Sequence, residues 1–264
     1  MVVLVSWWLN RPKPIDRIQI FEGVSYECQE VRQPGITGLV HIVSIDLAIP
    51  GIELYTTPLD KKAVAAGWQY ETRWAPQLVD ENLLSILING TLYGTERSIA
   101  LLPNEWAQTP QTVVSNYEFN QFRRFDYLLW FEHDLTPHLE STSQISPTAH
   151  RLARWGISGA RLIDDGRLAA HPNAEQDTQT AMGIDPEHKT LILAVFKSAS
   201  PTAVSEFLLE QGAVDAIMLD GGDSSCLSIG RGAQNTIPRT LMYPSRAVAT
   251  VFGVRAPVLN QMDR

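Results

Sequence analysis

Cysteine is scarce in this sequence. Only Cys28 and Cys226 occur among 264 residues, and neither belongs to a CxxC pair. A disulfide framework is excluded; one bridge or none stays open, and so does the compartment on this count. The six histidines (His41, His133, His138, His150, His171 and His188) include no HxH or HxxxH spacing, so a zinc centre has no ligand set. Basic runs are missing too: no five consecutive Lys or Arg occur, the formal net charge is −8 and the pI about 5.2. Such a chain repels phosphate backbones at long range, which argues against nucleic acid as a partner while leaving room for a local pocket that takes one phosphate. No apolar run reaches the roughly 20 residues of a membrane span. No GxSxG elbow, P-loop or GxGxxG is present.

What is there is an ordinary globular balance, 44% hydrophobic and 19% charged. The chain opens on MVVLVSWWLN followed by RPKP. Two readings stand for residues 1–15: a strand-like or disordered start, or the tail of a signal or anchor segment. A complete signal peptide would carry its basic residues before the apolar run. Residues 16–258 read as one domain and residues 259–264 as a tail.

Within the domain, residues 16–57 alternate as strands, with Pro50-Gly51 as a turn signal. A helix is expected over residues 73–82 with Pro76 in its first turn. The aliphatic runs LLSILIN and TLILAVF suit buried strands. ARLIDDGRLA reads as a hairpin bent at Asp-Gly. The clearest helix follows Ser200: a capping serine, Pro201 at the first position, an apolar face of Val204, Phe207 and Leu208, and Gly212 at the end. Residues 94–150, broken by four prolines, read as long loops around a short strand YLLWF. Together these predict an α+β fold, a single domain whose mixed, twisted β-sheet is flanked by helices.

Four stretches carry candidate chemistry. The first is LDGGDSSCLSIG, residues 219–230. A strand followed by Asp-Gly-Gly-Asp and then SSCLSI has the look of a β-hairpin, in which Asp220 and Asp223 only shape the turn. A hairpin requires neither the second glycine nor paired serines. Glycines let a ligand approach the main chain, and successive N–H groups can cradle an anion. The second is INGTLYG, where Asn89-Gly90 ends a buried strand. The third is TAMGID, with Thr180. The fourth is SRAVATVFGV, where Arg246 opens an apolar strand and offers a forked donor to an anion.

In this order the four stretches resemble the phosphodiester glycosidase family. Its pattern runs Asn-Gly and an aromatic, then Arg-Thr-Ala-hydrophobic-Gly, then a helix ending Gly-Ala. A hydrophobic-Leu-Asp-Gly-Gly-Gly-Ser-Ser block and an Arg before the last strand complete it. Here ILINGTLYG, QTAMGID, LLEQGAVDAIMLDGGDSS and PSRAVATVFGV match it, over roughly residues 21–254. Three positions depart: Gln179 stands for the Arg, Asp223 for the third glycine, and Thr250 for a common Asn.

The resemblance implies hydrolysis of a sugar-1-phosphodiester, of the N-acetylglucosamine-1-phosphodiester kind, at the anomeric carbon–oxygen bond. It implies that Gly221, Gly222, Ser224, Ser225 and Arg246 hold the phosphate. Asp220 would be the acid/base or nucleophilic carboxylate, tuned by Asp223, while Asn89, Gly90 and Thr180 orient the substrate. The partner would be a small-molecule or glycan phosphodiester, in an extracytoplasmic or secreted setting. No cofactor is expected; any metal would be oxygen-bound Ca²⁺ or Mg²⁺ through Asp220 or Asp223. Two other classes fit the same residues: a non-catalytic phosphosugar-binding module, and a phosphodiesterase that breaks the P–O bond.

Overall fold

The computed structural model describes residues 14–95, 102–120, 126–171, 175–187, 189–233 and 237–259. Nearly all of the N-terminal segment, residues 1–13, and of the C-terminal tail, residues 260–264, lies outside them, as does His188. In chain order the strands are β1 (Ile15–Phe21), β2 (Val24–Gln33), β3 (Ile36–Asp46), β4 (Glu53–Thr56), β5 (Tyr70–Glu71), β6 (Ile86–Asn89) and β7 (Gly94–Thr95). There follow β8 (Trp106–Gln108), β9 (Val113–Ser115), β10 (Glu118–Phe119), β11 (Tyr127–Phe131), β12 (Pro137–Ser141), β13 (Trp155–Asp164) and β14 (Arg167–Leu168). The last six are β15 (Asp177–Ile184), β16 (Thr190–Ala199), β17 (Asp215–Met218), β18 (Leu227–Ile229), β19 (Thr240–Met242) and β20 (Val251–Arg255). Four α-helices are described: α1 (Lys61–Ala65), α2 (Ala75–Glu81), α3 (Pro147–Leu152) and α4 (Pro201–Glu210).

Twelve strands form one sheet, whose main path runs β1-β2-β3-β16-β15-β17-β13-β11-β12. Five form a second, β19-β18-β6-β20-β4, and β5-β8-β7 a third. Every described strand ladder is antiparallel. The expected α+β fold with a mixed sheet flanked by helices is therefore corrected. The protein is mostly β, 46% strand and 15% helix, built from large antiparallel sheets.

The packing explains why. Strand side chains alternate between faces. Leu191, Leu193 and Val195 of β16 join Val43, Ile45, Ile86, Ile88 and Phe252 in a core between the two larger sheets. Ile192, Ala194 and Phe196 point the other way, onto Phe207 and Leu208 of α4. In β6, Leu87 likewise faces away from Ile86 and Ile88, under Leu78 and Val79 of α2. The aliphatic runs are thus strands buried on both faces. What covers their inner face is a second sheet, and helices cover only patches of the outside.

Local signals fared better. Ser200 caps α4 by accepting from the Ala203 N–H, Pro201 opens it, and Gly212 follows at φ +93°. The Asp165-Gly166 bend between β13 and β14 has both residues at positive φ, +49° and +72°, as a two-residue hairpin requires. Residues 94–150, expected as long loops with short elements around a strand YLLWF, hold β7 to β12 and the start of α3 among their described residues, and β11 is that strand. Elements of two to six residues are too short to show a period.

The hairpin reading of LDGGDSSCLSIG fails on topology. β17 is already flanked by β15 and β13, so β18 cannot pair with it. β18 pairs instead with β6 and β19 in the smaller sheet. The motif is a crossing from one sheet to the other, tightened by a 3₁₀ turn at Gly222–Ser224.

Candidate active site

The crossing is pinned at the seam between the two sheets. Asn89 ends β6 and is fully buried. Its Nδ2 donates to the Asp220 carbonyl at 2.6 Å, while its Oδ1 accepts from the Thr180 hydroxyl at 2.8 Å and the Cys226 N–H at 3.0 Å. Asp220 N–H donates to Gly90 O at 3.0 Å, and Leu219 N–H to Thr180 O at 2.8 Å. Gly90 lies so close to Thr250 that an added Cβ would overlap its side chain and backbone. Thr250 Oγ1 accepts from Thr91 N–H at 2.9 Å. Asn89, Gly90, Thr180 and Thr250 are therefore spent on holding the loop.

What they hold is a short charged constellation. Arg246 Nη2 donates to Asp220 Oδ2 at 3.0 Å, and Arg246 Nε to Ser224 Oγ at 2.7 Å. Asp220 is 4% exposed. Burial raises the pKa of its carboxyl, and the Ser224 hydroxyl, Arg246 and the Gly221 N–H pull against that rise. Among the described residues only two of the five N–H donors of Arg246 are committed, and its side chain is 29% exposed, so the remaining fork can meet an anion.

Not every predicted residue joins this cluster. Asp223 is exposed and accepts from Ser245, through its side chain and its carbonyl. The groups acting on Asp220 do not include it. Ser225 is buried and donates to Thr178 O at 3.3 Å. Its N–H and that of Ser224 turn back onto Gly222 O and Gly221 O, closing the 3₁₀ turn. Gly222 adopts φ +57°, beside the Asp177 carboxylate. Asp220, Ser224 and Arg246 are in mutual contact; Asp223 and Ser225 shape the crossing around them.

Sequence reasoning missed Tyr93. Its hydroxyl donates to Ala247 O, and the Arg246 guanidinium lies 5.1 Å from its ring centroid. Burial pushes its pKa up to about 12, offset by Arg246, so it stays a neutral donor at ordinary pH. The signal is the aromatic within INGTLYG, which sequence alone does not pair with an arginine so distant in the chain. The two cysteines are buried and unbridged, Cys28 in β2 and Cys226 in the crossing just before β18. Among the described residues no three His, Cys, Asp or Glu side chains gather as metal ligands, and no helix is long and apolar enough to cross a membrane.

Comparison with known proteins bears on the same residues. The family model described as phosphodiester glycosidase matches residues 87–255, which take in Asn89, Tyr93, Thr180, Asp220, Ser224 and Arg246. Comparison with curated proteins returns no match. Among solved structures, a hypothetical protein from Synechocystis superposes with a TM-score of 0.63 at 15% identity, covering 93% of this chain and 64% of its own length. The chain thus spans just under two thirds of that relative. The zebrafish N-acetylglucosamine-1-phosphodiester alpha-N-acetylglucosaminidase catalytic domain, auto-inhibited by its pro-peptide, superposes with a TM-score of 0.59 at 16% identity, covering 93% of this chain and 84% of that one. At these identities the structural likeness is one of fold.

Proposed function

The chain belongs to the phosphodiester glycosidase family, and from that premise we propose that it hydrolyses a sugar-1-phosphodiester at the anomeric carbon–oxygen bond. The observation that carries the reading is the buried Asp220 carboxyl, hydrogen-bonded by an Arg246 whose remaining donors are uncommitted among the described residues. Cleavage of this bond builds positive charge on the sugar and negative charge on the departing phosphate. Arg246 meets the phosphate with its free N–H groups. Tyr93 and Ser224 hold the guanidinium in place from two sides.

Asp220 is the acid/base. Its raised pKa keeps a proton on the carboxyl to higher pH than an ordinary aspartate. That proton goes to the leaving phosphate oxygen as the carbon–oxygen bond breaks, water bonds to the anomeric carbon, and the water's proton returns to the Asp220 carboxylate. The zebrafish protein's name supplies the first substrate to try, an N-acetylglucosamine-1-phosphodiester.

The test is sugar release from a panel of sugar-1-phosphodiesters, UDP-N-acetylglucosamine included, in ¹⁸O-labelled water. Wild type should release sugar with the label on the sugar, and Asp220→Asn should be slower by a factor of about 10² or more. Label in the phosphate would mean P–O cleavage. Turnover by Asp220→Asn near the wild-type rate would remove Asp220 from the chemistry. Saturable binding with no turnover by wild type would make the protein a binding module.

A further inference from the structure

Strand β15 runs alongside the crossing, and three consecutive residues face it. Thr178 offers its carbonyl to Ser225, and Thr180 bonds Asn89 through its hydroxyl and Leu219 through its carbonyl. Gln179, between them, is 8% exposed. Among the described residues its carboxamide has no hydrogen-bond partner. Its Oε1 lies 2.9 Å from where a β-carbon on Gly221 would sit, so any side chain at position 221 would push it away. The amide is thus lodged against the residue next to Asp220, admitted there by a glycine.

The residue is nearly buried, yet neither amide atom is among the sealed, unpartnered side-chain atoms, so the carboxamide reaches solvent beside Gly221, where a bound ligand can meet it. The charge balance narrows what would pair with it. Arg246 supplies the guanidinium of the cluster and takes the phosphate, and Gln179 brings no charge. A carboxamide both donates and accepts, and so does a sugar hydroxyl.

We infer that Gln179 is a substrate-contacting specificity residue whose carboxamide pairs with a hydroxyl of the bound sugar. The inference rests on the glycosidase reading above and adds to it which group reads the sugar.

The experiment compares wild type with Gln179→Leu and, in case leucine does not fold, Gln179→Met. Each is assayed on a sugar-1-phosphodiester and on its monodeoxy analogues, and each thermal midpoint is measured. Loss of one neutral hydrogen bond to substrate, with its partner left bare, should raise KM about 10-fold or more while kcat stays within about threefold. The thermal midpoint should hold, because among the described residues the amide has no hydrogen bond to lose. Wild type should discriminate against one monodeoxy analogue, and the variants should not.

An unchanged KM in both variants, with wild type active, would overturn the inference and leave the glycosidase reading standing. So would a lower midpoint without a KM effect, the mark of a packing residue. Wild type that neither binds nor cleaves any member of the panel would take both readings down together, and that result precedes any variant.

Discussion

At the scale of single residues, the chemistry turns on how burial, Ser224 and Arg246 set the protonation of Asp220. Burial favours the neutral form of Asp220, and Ser224 and Arg246 favour the ionised form. If protonated Asp220 is the working acid, kcat/KM falls as pH rises through its pKa, on a limb lying above the ordinary aspartate range. Ser224→Ala removes a group that stabilises the carboxylate. The sign follows: the pKa rises further and the limb moves to higher pH, even as the maximum rate drops. A pH profile of the two proteins checks this. A limb that moved to lower pH would mean that Ser224 bonds the neutral carboxyl, and a profile with no such limb would deny Asp220 the acid role. Tyr93 allows a companion test. Tyr93→Phe keeps the ring under Arg246 and loses the bond to Ala247, whereas Tyr93→Leu loses both, so KM should rise in the order wild type, Phe, Leu.

At the scale of elements, the β2–β3 ladder carries a titration that the site does not use. His41 is 1% exposed, stands opposite Cys28 in the ladder, and its Nδ1 is hydrogen-bonded to the Tyr26 hydroxyl at 2.9 Å. Burial lowers its pKa from 6.5 to about 4. The folded chain therefore refuses a proton that the unfolded chain accepts. The stability this represents is full above pH 6.5 and is lost as the pH falls toward 4. It amounts to about 3 kcal/mol at most. Urea unfolding between pH 7.5 and 4.5 should show that loss in wild type and a shallower slope in His41→Gln. Equal slopes would show that other groups carry the acid sensitivity.

The same scale shows what could be read from sequence and what could not. Helix α4 was legible because cap, proline, apolar spacing and terminal glycine all agree within residues 200–212. The Asp-Gly hairpin was legible for the same reason, since one turn needs only its own residues. The second sheet was not. Leu87 and Val251 face out to α2 while Ile86, Ile88 and Phe252 face in, so β6 and β20 read as plain aliphatic runs. Nothing in such a run says whether a helix or a sheet lies across from it. Residues 219–230 hid their role similarly, because a crossing between sheets and a hairpin ask for the same turn residues, and only the occupied flanks of β17 decide between them.

At the scale of the whole molecule, the site is a consequence of the seam. Its constellation comes from the crossing and from the segment before β20, and one side chain, Asn89, ties the crossing to β6 and β15 at once. Two variants separate scaffold from chemistry. Asn89→Leu strips partners from the Thr180 hydroxyl, the Cys226 N–H and the Asp220 carbonyl, all at buried residues. It should cost about 3–5 kcal/mol in denaturant unfolding, since each orphaned group is worth roughly 1–3 kcal/mol and neighbours do not add fully. Arg246→Gln removes a part-exposed cation from an Asp220 whose burial already favours the neutral form, so stability should change less, while activity falls as far. Activity should thus be lost in both and stability in only one. If Arg246→Gln proved as destabilising as Asn89→Leu, the guanidinium would be a strut of the seam, and the phosphate would need another partner.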